Sequence, residues 1–244
     1  MRAASAVLDA ASLRARPNDR RFYTGMAIAA ALAVLLGFSR TYFLRPYFQT
    51  TPLDAEFHVH GVVFSLWITL FVVQTSLVAA RRTSTHRKLG WAGACLAVVM
   101  VAVALNAAVH GAHRDIAAGH AQEALAFFTT PLLSMVMFAT LVVLAVALRA
   151  RPEMHKRLML LATLSLLDAA VARWPIAGIG ESSLAYYAVT DAFIAAAILY
   201  DFVSRRSVSP VYLYGALAIV AEQWVRDPLG ATAAWQALAT KLLM

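Results

Sequence analysis

The sequence predicts an all-α integral membrane protein, a bundle of seven transmembrane helices with the N-terminus in the cytoplasm and the C-terminus outside. Three observations predict it. Of the 244 residues, 61% are hydrophobic, against about 45–50% in a soluble domain. Seven stretches approach the roughly 20 apolar residues that cross a bilayer core, where only helices and closed barrels satisfy every backbone group. Basic residues crowd into alternate loops, the bias that orients a multi-pass chain.

Taken in order, residues 1–21 read as a cytoplasmic N-terminal segment. Its apolar patch is short, is broken by Asp9 and is followed rather than preceded by arginines, so it does not read as a signal peptide. The predicted spans are 22–44, 57–80, 89–110, 123–148, 158–174, 184–203 and 210–225. Together they make one transmembrane domain over 22–228. The last span is the shortest and carries Glu222. Pro131, after Thr129 and Thr130, is expected to kink the fourth span and open room beside it. Residues 229–244 read as a short helix, either interfacial or the end of a last helix broken at Pro228.

The basic residues Arg81, Arg82, Arg87, Lys88, Arg149, Arg157, Arg205 and Arg206 fall on the side of the N-terminus. The alternate loops, around Pro46, Ala117, Gly180 and Asp227, carry much less positive charge. A net charge of +8 with only three lysines (Lys88, Lys156, Lys241) therefore belongs to loops facing an anionic leaflet, and membrane lipid is the expected partner. No basic and aromatic stretch stands outside the spans, which excludes nucleic-acid binding. The lone Cys95 lies in an apolar run and excludes a disulfide framework. A weak repeat, His86-Arg87-Lys88-Leu89 and His155-Lys156-Arg157-Leu158, opens the third and fifth spans after Arg-rich turns.

Polar residues inside the spans are the candidates for chemistry, because a carboxylate at membrane depth costs about 2.5–3.5 kcal/mol on insertion scales. Asp168, Asp191 and Glu222 come from the fifth, sixth and seventh spans at similar depth toward the outer side. His60, Phe64, Trp67, Phe71 and Gln74 share one face of the second span, the face expected to turn inward. Asn106 and His110 share a face at the end of the third. The acids are expected to converge with His60 on one outer cavity, with Arg173 neutralising Asp168 or an anionic ligand. Imidazole and carboxylate are the usual ligands of zinc, iron and copper. The metal set is then His60, His110, Asp168, Asp191 and Glu222, assembled across helices, and Arg173, Asp191 and Glu222 are the expected catalytic groups. The packing alternatives stand beside these. Gln74 and Trp67 can hydrogen-bond neighbouring helices, Asp168 can pair with Arg173, and the His-Arg turns can contact lipid headgroups.

On His60-Gly61, Gln74, His86-Arg87-Lys88-Leu89-Gly90, His155-Lys156-Arg157-Leu158-Met159 and Arg173, the chain resembles a bacterial family of uncharacterised multi-pass membrane proteins, over the second through fifth spans. Lys156 stands where that family's pattern has arginine. The resemblance implies a bacterial inner-membrane fold and no established activity. The chain is more loosely similar to transmembrane b-type cytochromes that hold two haems between four helices. That similarity implies haem b ligated by His60 with His120 on the outside and by His86 with His155 on the inside.

Three functions follow as expectations. The first is a cofactor-binding protein, with a metal ion or haem near the outer face and redox work on a small-molecule substrate or an electron-transfer partner. The second is a proton-coupled solute transporter or sensor using the buried acids. The third is a structural subunit or oligomer of a membrane complex.

Overall fold

A computed structural model describes residues 18–48 and 52–243, so Asp9 and most of the expected N-terminal segment lie outside the described residues. The described residues form helices and turns, with no strand among them. Helix α1 (Asp19–Phe38) runs through a π-helical turn (Ser39–Phe43) into α2 (Arg45–Phe48). Helices α3 (Ala55–Ala79) and α4 (Thr83–Ala117) form an antiparallel hairpin, turned at Arg81 with φ 61°. There follow α5 (Ala121–Phe127), α6 (Thr129–Ala147), α7 (Pro152–Leu164) and α8 (Asp168–Val171). The chain closes with α9 (Ser183–Arg205), α10 (Pro210–Gly230) and α11 (Ala233–Leu243).

Five segments are long and apolar enough to cross a membrane: Asp19–Phe43, Ala55–Ala79, Thr83–Ala117, Ala121–Ala147 and Ser183–Arg205. Between 17% and 33% of each apolar stretch is buried in the protein. The remainder is half-buried or, as with Leu32, Val98 and Leu199, faces outward. So much exposed apolar surface is favourable against lipid and unfavourable against water. The chain is that of a helical membrane protein.

The expected fifth and seventh spans behave differently. Helix α7 has 13 residues, about 20 Å of rise, which is short of a hydrocarbon core of about 30 Å. It is the central helix instead. Leu158, Leu160, Leu161, Ala162 and Leu164 are buried, and α7 packs against α1, α6, α9 and α10. It ends where the Ser165 hydroxyl donates to the Ala162 carbonyl at 3.0 Å and the next two amides reach back only three residues. Helix α10 has the length, 21 residues, but buries Gln223 and Arg226.

Proline and serine set several ends. Pro152 and Pro210 occupy first-turn positions, where a missing N–H costs nothing, and the Ser209 hydroxyl caps α10 by accepting from the Val211 amide at 3.4 Å. The expected break in the fourth span is present at Phe128, between α5 and α6. Pro131 has no N–H to offer the Phe127 carbonyl, which closes α5 there. Helix α10 runs past Pro228 to Gly230, so the chain turns two residues later than expected. Helix α11 then folds back, where the Trp235 indole donates to the Leu125 carbonyl at 2.8 Å and His113 Nε2 to the Leu243 carbonyl at 2.6 Å.

Antiparallel packing gives the bundle two ends. The basic end gathers the starts of α1, α4, α7 and α10 with the finishes of α3, α6 and α9. The opposite end gathers the complementary termini. Near that end Gly37 lets α1 press directly on α8, since a Cβ at residue 37 would run into the Ala170 carbonyl. That contact fixes the short helix that begins with Asp168.

Candidate functional site

Each end carries a buried cluster of charge, and the two differ in balance. At the opposite end Asp168 opens α8, Asp191 lies in the third turn of α9, and Glu222, Gln223 and Arg226 lie in the last three turns of α10. Arg226 is 1% exposed. It donates through Nη1 to Asp168 Oδ2 at 2.9 Å, and through Nε and Nη2 to the two Glu222 oxygens at 2.6 and 2.7 Å. Its guanidinium also lies over the Tyr187 ring, 5.6 Å from the centroid. The Gln223 amide nitrogen sits between the other two acids, 3.5 Å from Asp168 Oδ1 and 3.3 Å from Asp191 Oδ1. One buried polar atom here, Gln223 Oε1, has no hydrogen-bond partner among the described residues. Arg226 therefore pairs with two carboxyls, and among the described residues Asp191 has only the Gln223 amide.

The convergence of Asp168, Asp191 and Glu222 was expected; the partners differ. Arg226, not Arg173, neutralises Asp168, because it projects from α10 one turn beyond Glu222 and reaches both acids. Arg173 donates to the Ala169 carbonyl at 2.5 Å and lies 5.2 Å from the Phe38 ring centroid. His60 does not join the acids through any hydrogen bond or ion pair among the described residues. It stacks on Phe64 with centroids 4.1 Å apart, and its buried Nδ1 has no partner. The reason is the packing, since α3 lies chiefly against α1 and α4 while the acids occupy α8, α9 and α10.

The expected metal set is divided accordingly. His110 pairs at the surface with Asp54 at 3.0 Å and Glu56 at 3.8 Å. Among the described residues no group of three or more His, Cys, Asp and Glu side chains could hold a metal ion. His120 is exposed and faces Glu123 at 3.4 Å, with no contact to His60. Of the two histidine pairings, His86 with His155 is the one the fold brings together, with ring centroids 6.2 Å apart. The inward face of α3 is as expected, with Trp67 and Phe71 buried. Trp67 makes no interhelical hydrogen bond among the described residues, however; it packs edge-on against Phe138 at 5.0 Å, and its Nε1 is without a partner there.

The basic-end cluster escaped the sequence reading. Arg157 grips Asp201 with two bonds, 3.0 and 2.6 Å, and Glu153 at 2.9 Å. Arg205 meets Asp19 at 2.6 Å, Glu153 at 2.9 Å and Asp201 at 3.2 Å. Lys156 reaches Asp19 at 2.6 Å and Glu153 at 2.7 Å. Below them Tyr23 and Tyr212 share a hydrogen bond of 2.9 Å. Three cations thus face three carboxylates among the described residues, and α1, α7 and α9 are tied together. A signal was present in the chain. Glu153-Arg157, Asp201-Arg205 and Glu222-Arg226 all place an acid four residues before an arginine, the spacing that puts both on one helical face.

Comparison of the chain with protein-family models, with curated proteins and with solved structures gives no match.

Proposed function

We propose that the chain is a seven-span protein of a bacterial plasma membrane that binds and releases a proton at the Asp168–Asp191–Glu222 cluster, coupled to movement or sensing of a small solute. The observation that carries this is a cluster in which Arg226 pairs with Asp168 and Glu222 while Asp191, among the described residues, meets only the Gln223 amide, beside a buried amide oxygen without a donor. Low-dielectric surroundings do not tolerate excess negative charge, and a proton is the smallest group that removes it. Asp191 is the acceptor this geometry favours. Among the described residues its one hydrogen bond comes from Gln223 Nε2. A protonated carboxyl gains an O–H donor, and the unpartnered Gln223 Oε1 on the same amide is the acceptor such a donor requires. Glu222 and Asp168 hold Arg226 in place while Asp191 changes state.

In this reading α7 with α8, and α10, are the fifth and seventh spans. Helix α7 is covered by its neighbours, whereas α10 buries Gln223 and Arg226 on one face and exposes Leu213, Leu217 and Trp224 on the other, the face that would meet lipid. The basic loops around Arg81–Lys88 and Arg149–Arg157 face the cytoplasm by the positive-inside rule, which places the acid cluster toward the outside. A metal-dependent or redox role for the acids is disfavoured by Arg226, whose guanidinium already occupies the oxygens of Asp168 and Glu222 that a cation would need. Membership of the uncharacterised bacterial family is likewise a proposal, carried by the short motifs alone.

The test is reconstitution into proteoliposomes holding a pH-sensitive dye, with panels of small solutes added outside. Solute-dependent proton movement that is lost in Asp191→Asn and retained in His120→Ala supports the reading. Proton movement unchanged in Asp191→Asn overturns it.

A further inference from the structure

Arg173 is held in place without being neutralised. It follows α8 in a turn laid against α1, where Ala170 meets Gly37 and the Trp174 indole donates to the Ala33 carbonyl at 3.0 Å. Its guanidinium is fixed from one side. Nη1 donates to the Ala169 carbonyl at 2.5 Å, and the group lies 5.2 Å from the Phe38 ring centroid. Nε and Nη2 have no hydrogen-bond or ion-pair partner among the described residues. Arg226 shows what that edge accommodates, since its Nε and Nη2 donate to the two oxygens of Glu222 at 2.6 and 2.7 Å. Arg173 is exposed yet crowded by protein, the condition of a side chain that lines an open crevice. Its charge also acts on the ring of His60, which comes from α3. That ring stacks on Phe64, and its buried Nδ1 has no partner among the described residues.

We infer that Arg173, with His60 beside it, binds a monovalent oxyanion, the carboxylate of a small apolar acid, on the Nε–Nη2 edge of the guanidinium. The planar fork takes both oxygens of a carboxylate in two parallel charge-assisted bonds. A cation crowded by protein calls for a counter-charge, and no carboxylate of the described residues supplies it. One guanidinium balances one negative charge, so a carboxylate suits it better than a phosphate dianion. Phe38 and Phe64 offer apolar contact to the rest of the acid. A lipid phosphodiester is the other source of a monovalent oxyanion. An arginine serving headgroups extends away from the bundle, whereas this one folds back onto the Ala169 carbonyl and the Phe38 ring, within electrostatic reach of α3. The free acid is therefore the occupant the geometry favours.

As the solute moved or sensed with a proton, the carboxylate rests on the reading above; as a bound ligand it does not. The test is calorimetric titration of full-length protein in detergent with benzoate, and with benzamide as a neutral probe of the same shape. Saturable binding of one benzoate per chain is expected, with none of benzamide. Arg173→Met is expected to weaken benzoate binding about 10–100-fold. Arg173→Lys, which keeps the charge and loses the fork, and His60→Phe are each expected to weaken it about 3–10-fold. His120→Ala should bind as the parent does. Thermal melts establish that each variant folds, and Arg173→Gln replaces Arg173→Met if it does not. Benzoate binding without solute-driven proton movement supports the site and sinks the proton reading alone; proton movement without benzoate binding does the reverse. Equal affinity in the parent and Arg173→Met, equal binding of benzamide, or phosphatidylglycerol retained through Arg173 and not displaced by benzoate would each overturn the proposal.

Discussion

Replacing Arg226 by methionine removes the positive charge that, among the described residues, pairs with Asp168 and Glu222, while keeping an unbranched side chain of similar reach. The structure sets the size of the effect. Arg226 is 1% exposed and makes three charge-assisted bonds of 2.6, 2.7 and 2.9 Å to Glu222 and Asp168. Losing one partner of a buried ion pair costs about 3–5 kcal/mol, because the other charge is left without a partner. For a chain of this length that lowers Tm by about 6–20 °C, at roughly 2–4 °C per kcal/mol. The assay is thermal unfolding of purified protein in detergent, followed by circular dichroism. Asp168→Asn and the double variant complete a cycle, and a coupling energy of about 1–3 kcal/mol is expected between the two sites. A loss below about 1 kcal/mol for Arg226→Met, the range of exposed pairs, or additivity in the cycle would refute the claim that this arginine holds the cluster.

Arg173→Met removes a cation that donates to a carbonyl and lies by an aromatic ring, with no carboxylate partner among the described residues, so its effect on stability is expected to stay near 1 kcal/mol in the same melts. Gly37→Ala puts a methyl group against the Ala170 carbonyl and is expected to cost about 1–3 kcal/mol, read as a lower Tm. A cysteine at Ser84, in a background with Cys95→Ala, is expected to resist membrane-impermeant thiol reagents in intact cells; rapid labelling would invert the proposed orientation.

Fold class was legible because it depends on composition. The apolar stretches that became α1, α3, α4 and α9 are long, and a long apolar stretch is helical in lipid whatever its neighbours do. The central helix α7 was harder to read. It is short, and its apolar residues are covered by protein rather than lipid, two states that hydropathy alone does not separate. The acids were legible singly, because a carboxyl in an apolar run is costly wherever it faces. Their partner was not, because Arg226 lies beyond the apolar part of α10 and resembles a helix-end charge until its four-residue spacing from Glu222 is considered. His60 misled for the complementary reason. It shares depth with the acids, but depth says nothing about which side of the bundle a helix occupies, and α3 stands on the far side of α1 from α9.

The central claim is that a carboxyl of the opposite-end cluster takes up and gives back a proton, with Asp191 as its seat. Infrared difference spectroscopy of the protein in lipid films, titrated with pH, measures this directly through the carbonyl stretch of protonated carboxyl groups. The account predicts a titrating band that shifts in deuterium oxide, disappears in Asp191→Asn, and changes position in Gln223→Leu, where the amide partner is removed. A titration identical in the parent and in Asp191→Asn would contradict it.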